Sequence, residues 1–140
     1  KDGSIWLSEP ESIFHYKDGK TNRYTFPIAY KSFSFIRSFQ FFEDDFGNFW
    51  VVSHNGFFFR LNVNENQFEL VKTNTDFKEF NDIIRIGENE FLAASQNGLF
   101  NISVRKNSFL INEIDDLEGV SCLAVENNQF YIARKEGWSA

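Results

Sequence analysis

The chain has 140 residues, of which 42% are hydrophobic and 19% aromatic, with 19 Phe, and its formal net charge is −6. That aromatic content excludes a disordered chain, and an excess of 20 Asp and Glu over 14 Lys and Arg argues against nucleic acid as a direct partner. No stretch approaches the roughly 18 apolar residues of a membrane helix, and a single cysteine, Cys122, leaves no internal disulfide and no cysteine-based metal site.

Taken in chain order, the elements read as short strands separated by polar turns. Ile5 to Ser8 and Ile13 to Tyr16 are strands; the turn Lys17-Asp18-Gly19-Lys20 leads to another near Tyr24. Ile36 to Phe42 follows, then the turn Asp44-Asp45-Phe46-Gly47-Asn48, the segment Phe49 to Ser53, a strand over Phe57 to Asn62, and one near Phe68. Phe77, Phe80, Ile83 and Ile84 fall at helical spacing. The register of the whole nonetheless predicts a strand from Phe80 to Ile86, with a single helical turn around Asp76–Glu79 as the alternative. The strand near Phe91, Leu99 to Val104, one near Phe109, Val120 to Val125 and Phe130 to Arg134 complete the set. Gly and Asn in the intervening turns supply the positive φ that tight hairpins need. Cys122 lies within the apolar run Val120 to Val125 and reads as a small buried thiol.

The same unit recurs. Phe49-Trp50-Val51-Val52-Ser53-His54-Asn55-Gly56 aligns without gaps to Phe91-Leu92-Ala93-Ala94-Ser95-Gln96-Asn97-Gly98 and to Phe130-Tyr131-Ile132-Ala133-Arg134-Lys135-Glu136-Gly137. A fourth copy runs from Ile5-Trp6 to Ser12. A period of about 40 residues with four strands per unit predicts an all-β fold of propeller type. The expected units are residues 1–35, 36–78, 79–117 and 118–140, holding three, four, four and two strands. That is about three and a third four-stranded blades of a larger ring, for which seven blades is the expected number. Trp6, Gly47, Trp50, Gly56, Leu92, Gly98, Tyr131 and Gly137 mark the repeat. The tryptophans are expected to pack between blades, and the glycines Gly56, Gly98 and Gly137 to turn the chain.

Glu43-Asp44-Asp45-Phe46-Gly47-Asn48-Phe49-Trp50, followed by a small apolar strand and Gly56-Phe57, resembles the two-component regulator propeller repeat. Asp2-Gly3-Ser4-Ile5-Trp6 is similar to its centre, while later copies replace the Trp by Leu92 and Tyr131 and shorten the first turn. The resemblance implies a periplasmic sensor region of a histidine kinase, often a hybrid one, which recognises polysaccharide breakdown products and signals through a membrane helix lying elsewhere. Kelch and WD signatures are absent. Asp45-Phe46-Gly47-Asn48-Phe49-Trp50 matches a sialidase-type Asp-box only at its Asp, Gly and Trp.

No cofactor, metal site or catalytic constellation is expected. His15 and His54 have no partner at ligand spacing, and the carboxylates fall mainly in turns. Glu43, Asp44 and Asp45 could hold a cation but are better explained as capping a hairpin. The chain is therefore read as non-catalytic; a glycan-derived ligand is the partner that the resemblance implies, with no direct membrane insertion. A scaffold for protein–protein contact, or part of a glycan-processing propeller enzyme, are the alternatives. Propeller geometry would gather the loops Ser53-His54-Asn55, Ser95-Gln96-Asn97 and Arg134-Lys135-Glu136 with the connections at Ala29-Tyr30-Lys31 and Asn74-Thr75-Asp76. This makes Tyr30, His54, Gln96 and Arg134 the candidate ligand-binding residues. A chain that opens at Lys1-Asp2-Gly3, inside a repeat, reads as a piece of something longer. The remaining blades are expected from the parent chain or from a second copy.

Overall fold

The structure is a computed structural model that describes residues 3–9, 12–26, 39–106, 108–134 and the backbone of 137–139. The described residues form fourteen strands and no helix. They are β1 (Ile5–Glu9), β2 (Ser12–Lys17), β3 (Lys20–Thr25), β4 (Phe39–Glu43), β5 (Phe49–Ser53), β6 (Phe58–Asn62) and β7 (Gln67–Val71), then β8 (Phe80–Gly87), β9 (Glu90–Ser95), β10 (Gly98–Val104), β11 (Phe109–Asp115), β12 (Val120–Glu126), β13 (Gln129–Arg134) and β14 (Gly137–Ser139). The last unit thus contributes a third strand where the sequence suggested two. The segment 76–79 is not helical. Phe77 and Phe80 are spaced as on a helix because both enter one core, where their rings meet edge to face at 5.2 Å.

Three sheets result, ordered β1-β2-β3-β7-β6-β5-β4, β11-β10-β9-β8 and β12-β13-β14. Within each unit successive strands pair as antiparallel hairpins, which is the meander that the repeat predicts. The first two units are joined into one sheet by a parallel contact between β3 and β7 at Thr25 and Gln67. That seven-stranded sheet curls into a nearly closed, barrel-like form around Ile13, Tyr24, Phe26, Val51, Phe59 and Phe68. Trp6 lies flat on Phe49 at 3.9 Å and closes the contact.

Strands β5 and β9 have no polar side. In β5, Val51 is buried against the first unit, whereas Trp50 and Val52 are buried against the third. In β9, Phe91 and Ala93 face the second unit and Leu92 and Ala94 face the fourth. Alternate side chains point to opposite faces of a strand, so an unbroken apolar run is what a sheet packed on both sides requires. Phe58, Phe59, Phe68, Phe80 and Phe91 are almost completely buried. Removing each such side chain from water contributes about 1.5–3 kcal/mol.

The turns follow the chemistry of their residues. Asp18 and Gly19, with φ of 51° and 77°, and Asn127 and Asn128, with 50° and 63°, have the paired positive φ of two-residue hairpin turns. Strand pairing corrects the gapless alignment at one point. Trp6 pairs with His15 and Leu92 with Asn101, but Trp50 pairs with Arg60, one residue further along. The second unit therefore carries an extra loop residue, and Gly56 and Gly98 are not structural equivalents. Gly56 sits in the loop at φ +84° with its α-carbon against Phe77, whereas Gly98 opens β10 at φ +150° against the Asp115 carbonyl. Gly137 begins β14 opposite Arg134. Cys122 is half-buried rather than enclosed, because the bulge between Val120 and Cys122 turns it out of the run.

Candidate functional site

Two places concentrate polar chemistry: the edge where the second-to-third-strand loops lie, and the acidic turn at Asp44. At the loop edge, Ser53 and Ser95 are fully buried at the ends of β5 and β9. Each hydroxyl donates to an amide oxygen two residues on, Ser53 Oγ to Asn55 Oδ1 at 2.5 Å and Ser95 Oγ to Asn97 Oδ1 at 2.6 Å. This Ser-x-Asn pair sets both loops. Its signal in the sequence is the repetition of Ser and Asn at Ser53/Ser95 and Asn55/Asn97 in the aligned copies.

The loops are tied to the segments that enter the following sheets. The His54 carbonyl accepts from Phe80 N at 2.6 Å, while Gln96 N donates to Glu79 O at 2.9 Å. The Gln96 carbonyl accepts from Gly119 N at 3.0 Å. Asn97 Nδ2 donates to the Asp76 carbonyl at 3.0 Å, and Arg134 Nε donates to the Glu118 carbonyl at 3.0 Å. His54, Gln96 and Arg134 thus lie along one edge, each joined to a connection between units. Tyr30 falls outside the described residues. Gln96 Oε1 is a buried side-chain acceptor that has no hydrogen-bond partner among the described residues, and such an atom costs about 1–3 kcal/mol if left unpaired.

A cleft of about 350 Å³ opens on the same edge, between the loop at Asn55-Gly56 and the connection holding Thr75, Asp76 and Phe77. Phe57, Phe58 and Val71 give it an apolar floor, and Lys72 and Thr73 line it as well. His54, Gln96 and Arg134 do not line it. A second, almost wholly apolar groove of about 410 Å³ lies between the third and fourth units, lined by Ile86, Leu92, Leu99, Ile114, Phe130 and Ile132.

The acidic turn is internally satisfied. The buried Asp44 carboxylate accepts from Phe46 N, Asn48 N, Asn48 Nδ2 and Trp50 Nε1, at 2.8–3.0 Å. Asp44 thus anchors both the turn and the indole of Trp50, leaving little capacity for a cation. Asp45 instead reaches the next unit. It is held 2.8 Å from Arg85 Nη1, accepts from Asn89 N at 2.7 Å, and its own N–H donates to Asn89 Oδ1 at 2.7 Å. The Asn89 amide above all holds the Asp45 carboxyl below its ordinary range; desolvation opposes it, and the Arg85 guanidinium adds to the lowering. No group of three or more metal-ligating side chains occurs among the described residues.

The repeat markers divide in the same way. Trp50 is buried with its ring 4.4 Å from Phe109 of the third unit, Trp6 stacks between His15 and Phe49, and Leu92 is buried against the fourth unit. Tyr131 is half-buried, and Gly47, at φ +84°, completes the Asp44 turn.

No protein-family model matches the chain, and no curated protein matches it. Its sheets define an all-β protein of the β-propeller type, built from repeated antiparallel units. Among solved structures, the propeller BBS1N, crystallised in complex with ARL6DN, matches 98% of this chain and 48% of its own chain, with a TM-score of 0.53 at 15% identity. The likeness is one of fold, and the chain spans about half the length of that neighbour.

Proposed function

We propose that this chain is a non-catalytic recognition module whose fourteen strands make about three and a half blades of a seven-bladed propeller. Its place is the periplasmic sensor region of a two-component histidine kinase, and its ligand is a glycan fragment. The resemblance of residues 43–61 to the two-component regulator repeat supports the setting. The acidic turn in that stretch has a structural reason in the grip of Asp44 on Trp50.

The observation that carries ligand recognition is Gln96 Oε1, a buried acceptor without a hydrogen-bond partner among the described residues, on the edge where the loops meet. A sugar hydroxyl is a donor of the kind it lacks, and reaches it once the loop edge opens, since the atom is closed to solvent as the loops stand. The test is thermal shift of the sensor region with a panel of oligosaccharides, alongside the Gln96→Leu variant. The expected result is stabilisation by at least one oligosaccharide that is weakened at least tenfold in Gln96→Leu. Stabilisation by none of them, together with a coding sequence lacking histidine-kinase motifs, overturns the reading.

A second reading, a scaffold that binds a protein, is favoured by the neighbour BBS1N having been crystallised with ARL6DN. It predicts that a protein partner, and no oligosaccharide, raises the melting temperature.

A further inference from the structure

The outer strands of the second and third units present their backbones differently. β7 pairs with β6 over five unbroken rungs, from Asn62 opposite Gln67 to Phe58 opposite Val71. On its other side it meets β3 at Gln67 alone among the described residues, so the backbone over residues 68–71 has no neighbouring strand there. Open edges of this kind are usually blunted by Pro, Lys, a bulge or an unpaired charge. The corresponding strand β11 follows that rule: its pairing shifts at a bulge, and Asn112, Glu113 and Asp115 stand exposed along it. β7 does not. Gln67-Phe68-Glu69-Leu70-Val71 contains no Pro, Gly or Lys. Its one charge is engaged within its own hairpin, where Asn62 Nδ2 donates to Glu69 Oε1 at 2.6 Å and Arg60 Nη2 lies 3.6 Å from Oε2. Leu70 beside it is 45% exposed.

The cleft of about 350 Å³ adjoins this edge, since Leu70, Val71 and Lys72 help to line it. We infer that the edge of β7 takes an extended segment of a partner protein as an added strand, one apolar side chain of which fills the cleft. A row of main-chain donors and acceptors is met rung by rung by another extended backbone, and pockets beside the edge select its side chains. Residues opposite each other across two strands project from the same face. The partner residue beside Val71 therefore points with it toward Phe58 and Phe77, into the cleft, and the one beside Leu70 covers that exposed side chain. The next rung brings a partner side chain to Lys72, which is exposed and makes no ion pair among the described residues. An acidic residue complements it, while Asp76, on the connection opposite, keeps an anion out of the cleft itself. The segment thus reads acidic, then aromatic or aliphatic, then β-branched. The site is separate from the glycan reading, because Gln96 does not line the cleft.

The probe is the fluorescein-labelled peptide Ser-Glu-Phe-Val-Thr-Ser, which sets Glu, Phe and Val against Lys72, Val71 and Leu70 in an antiparallel addition. Fluorescence polarisation on the 140-residue chain is expected to show saturable binding. Hydrogen exchange is expected to slow at the β7 amides and not at those of β11. Thr75→Trp, which fills the cleft, should weaken binding about tenfold or more, the worth of one buried aromatic side chain. Replacing the Phe of the peptide by Ser should do the same and leaves the chain untouched, so a Thr75→Trp variant that fails to fold by circular dichroism does not spare the inference. Lys72→Glu, at the surface, should weaken binding about threefold. Absence of binding at about 1 mM peptide overturns the inference. Binding that leaves β7 exchange unchanged, or that is indifferent to the loss of the Phe, overturns it as well. So do β7 amides already protected in a chain of mass twice 16.4 kDa, which would give the edge to a second copy.

Discussion

The contact between the second and third units and the contact between the third and fourth use the same positions, filled differently. In the first of these, Trp50, Phe58, Phe77, Phe80, Phe91 and Phe100 interlock, and Arg85 lies over the Phe91 ring at 5.0 Å while clasping Asp45. In the second, Leu92 stands in place of Trp50, and pairing across the hairpins puts Val125 opposite Phe130 where Arg85 stands opposite Phe91. Aliphatic residues and the open 410 Å³ groove replace the rings and the clasp. Polar rungs on the inner strands persist in both: Gln40 Nε2 donates to the Asn81 carbonyl, and Leu123 N donates to Asp82 Oδ2. The lesson is that the repeat conserves backbone placement and inner rungs while the filling between sheets is free to change, provided its volume is accounted for.

The largest effect is expected on the aromatic side. Phe58→Ala removes a completely buried ring that touches Phe77, Phe80 and Phe109, and should cost about 3–5 kcal/mol in denaturant unfolding. A cost below that of Leu92→Ala would break the comparison. Next comes Gly56→Ala. At φ +84° an added methyl would sit 2.7 Å from Phe77 Cβ, and a loss above about 1 kcal/mol is expected from strain and contact together. Overpacking should then separate the two contacts. Val52→Phe, in the filled one, is expected to cost about 1–3 kcal/mol, but Leu92→Phe, beside the groove, less than about 1.5 kcal/mol. Equal costs would show that the groove does not accept a ring.

The smallest effect belongs to the clasp. Asp45 is at the surface, and its carboxyl is held below the usual range in the folded chain. Its contribution is therefore complete above the pKa it has when unfolded and is lost as pH falls through its lowered folded value. Asp45→Asn should lower the melting temperature slightly at neutral pH and not at all in acid below that value. A difference that persists there would assign the effect to packing rather than charge.

Much of this was legible beforehand, for reasons that can be named. Strand positions came from apolar runs that had to serve two neighbours. The hairpins at Asp18-Gly19 and Asn127-Asn128 came from residues that accept positive φ. The extra loop residue between Ser53 and Phe57 was hidden because Asn55-Gly56 and Asn97-Gly98 look alike, although one glycine lies in a loop and the other opens a strand. The register rightly outweighs the helical spacing of Phe77 and Phe80, because a connection crossing the mouth of a core can place two rings in it without being a helix. The joining of the first two units through Thr25 and Gln67 depends on how sheets curl, which no local pattern encodes. For the site, the loop positions are legible in the repeat, whereas for Asp44 the sequence pattern shows the hairpin cap and not the hub. Its reach to the indole of Trp50 depends on a separation of six residues across a bent turn.

The apolar character of β5 on both sides has a consequence for how the chain finds its pairing. In a half-exposed strand, slipping by one residue drives greasy side chains into water and is penalised at once. Slipping β5 would merely exchange one oily set for another, so solubility offers no proofreading. What distinguishes the correct alignment is the indole nitrogen of Trp50, which finds Asp44 in one alignment and loses it when displaced by one residue. A single buried carboxylate thereby acts as the index mark by which an otherwise ambiguous ribbon is set.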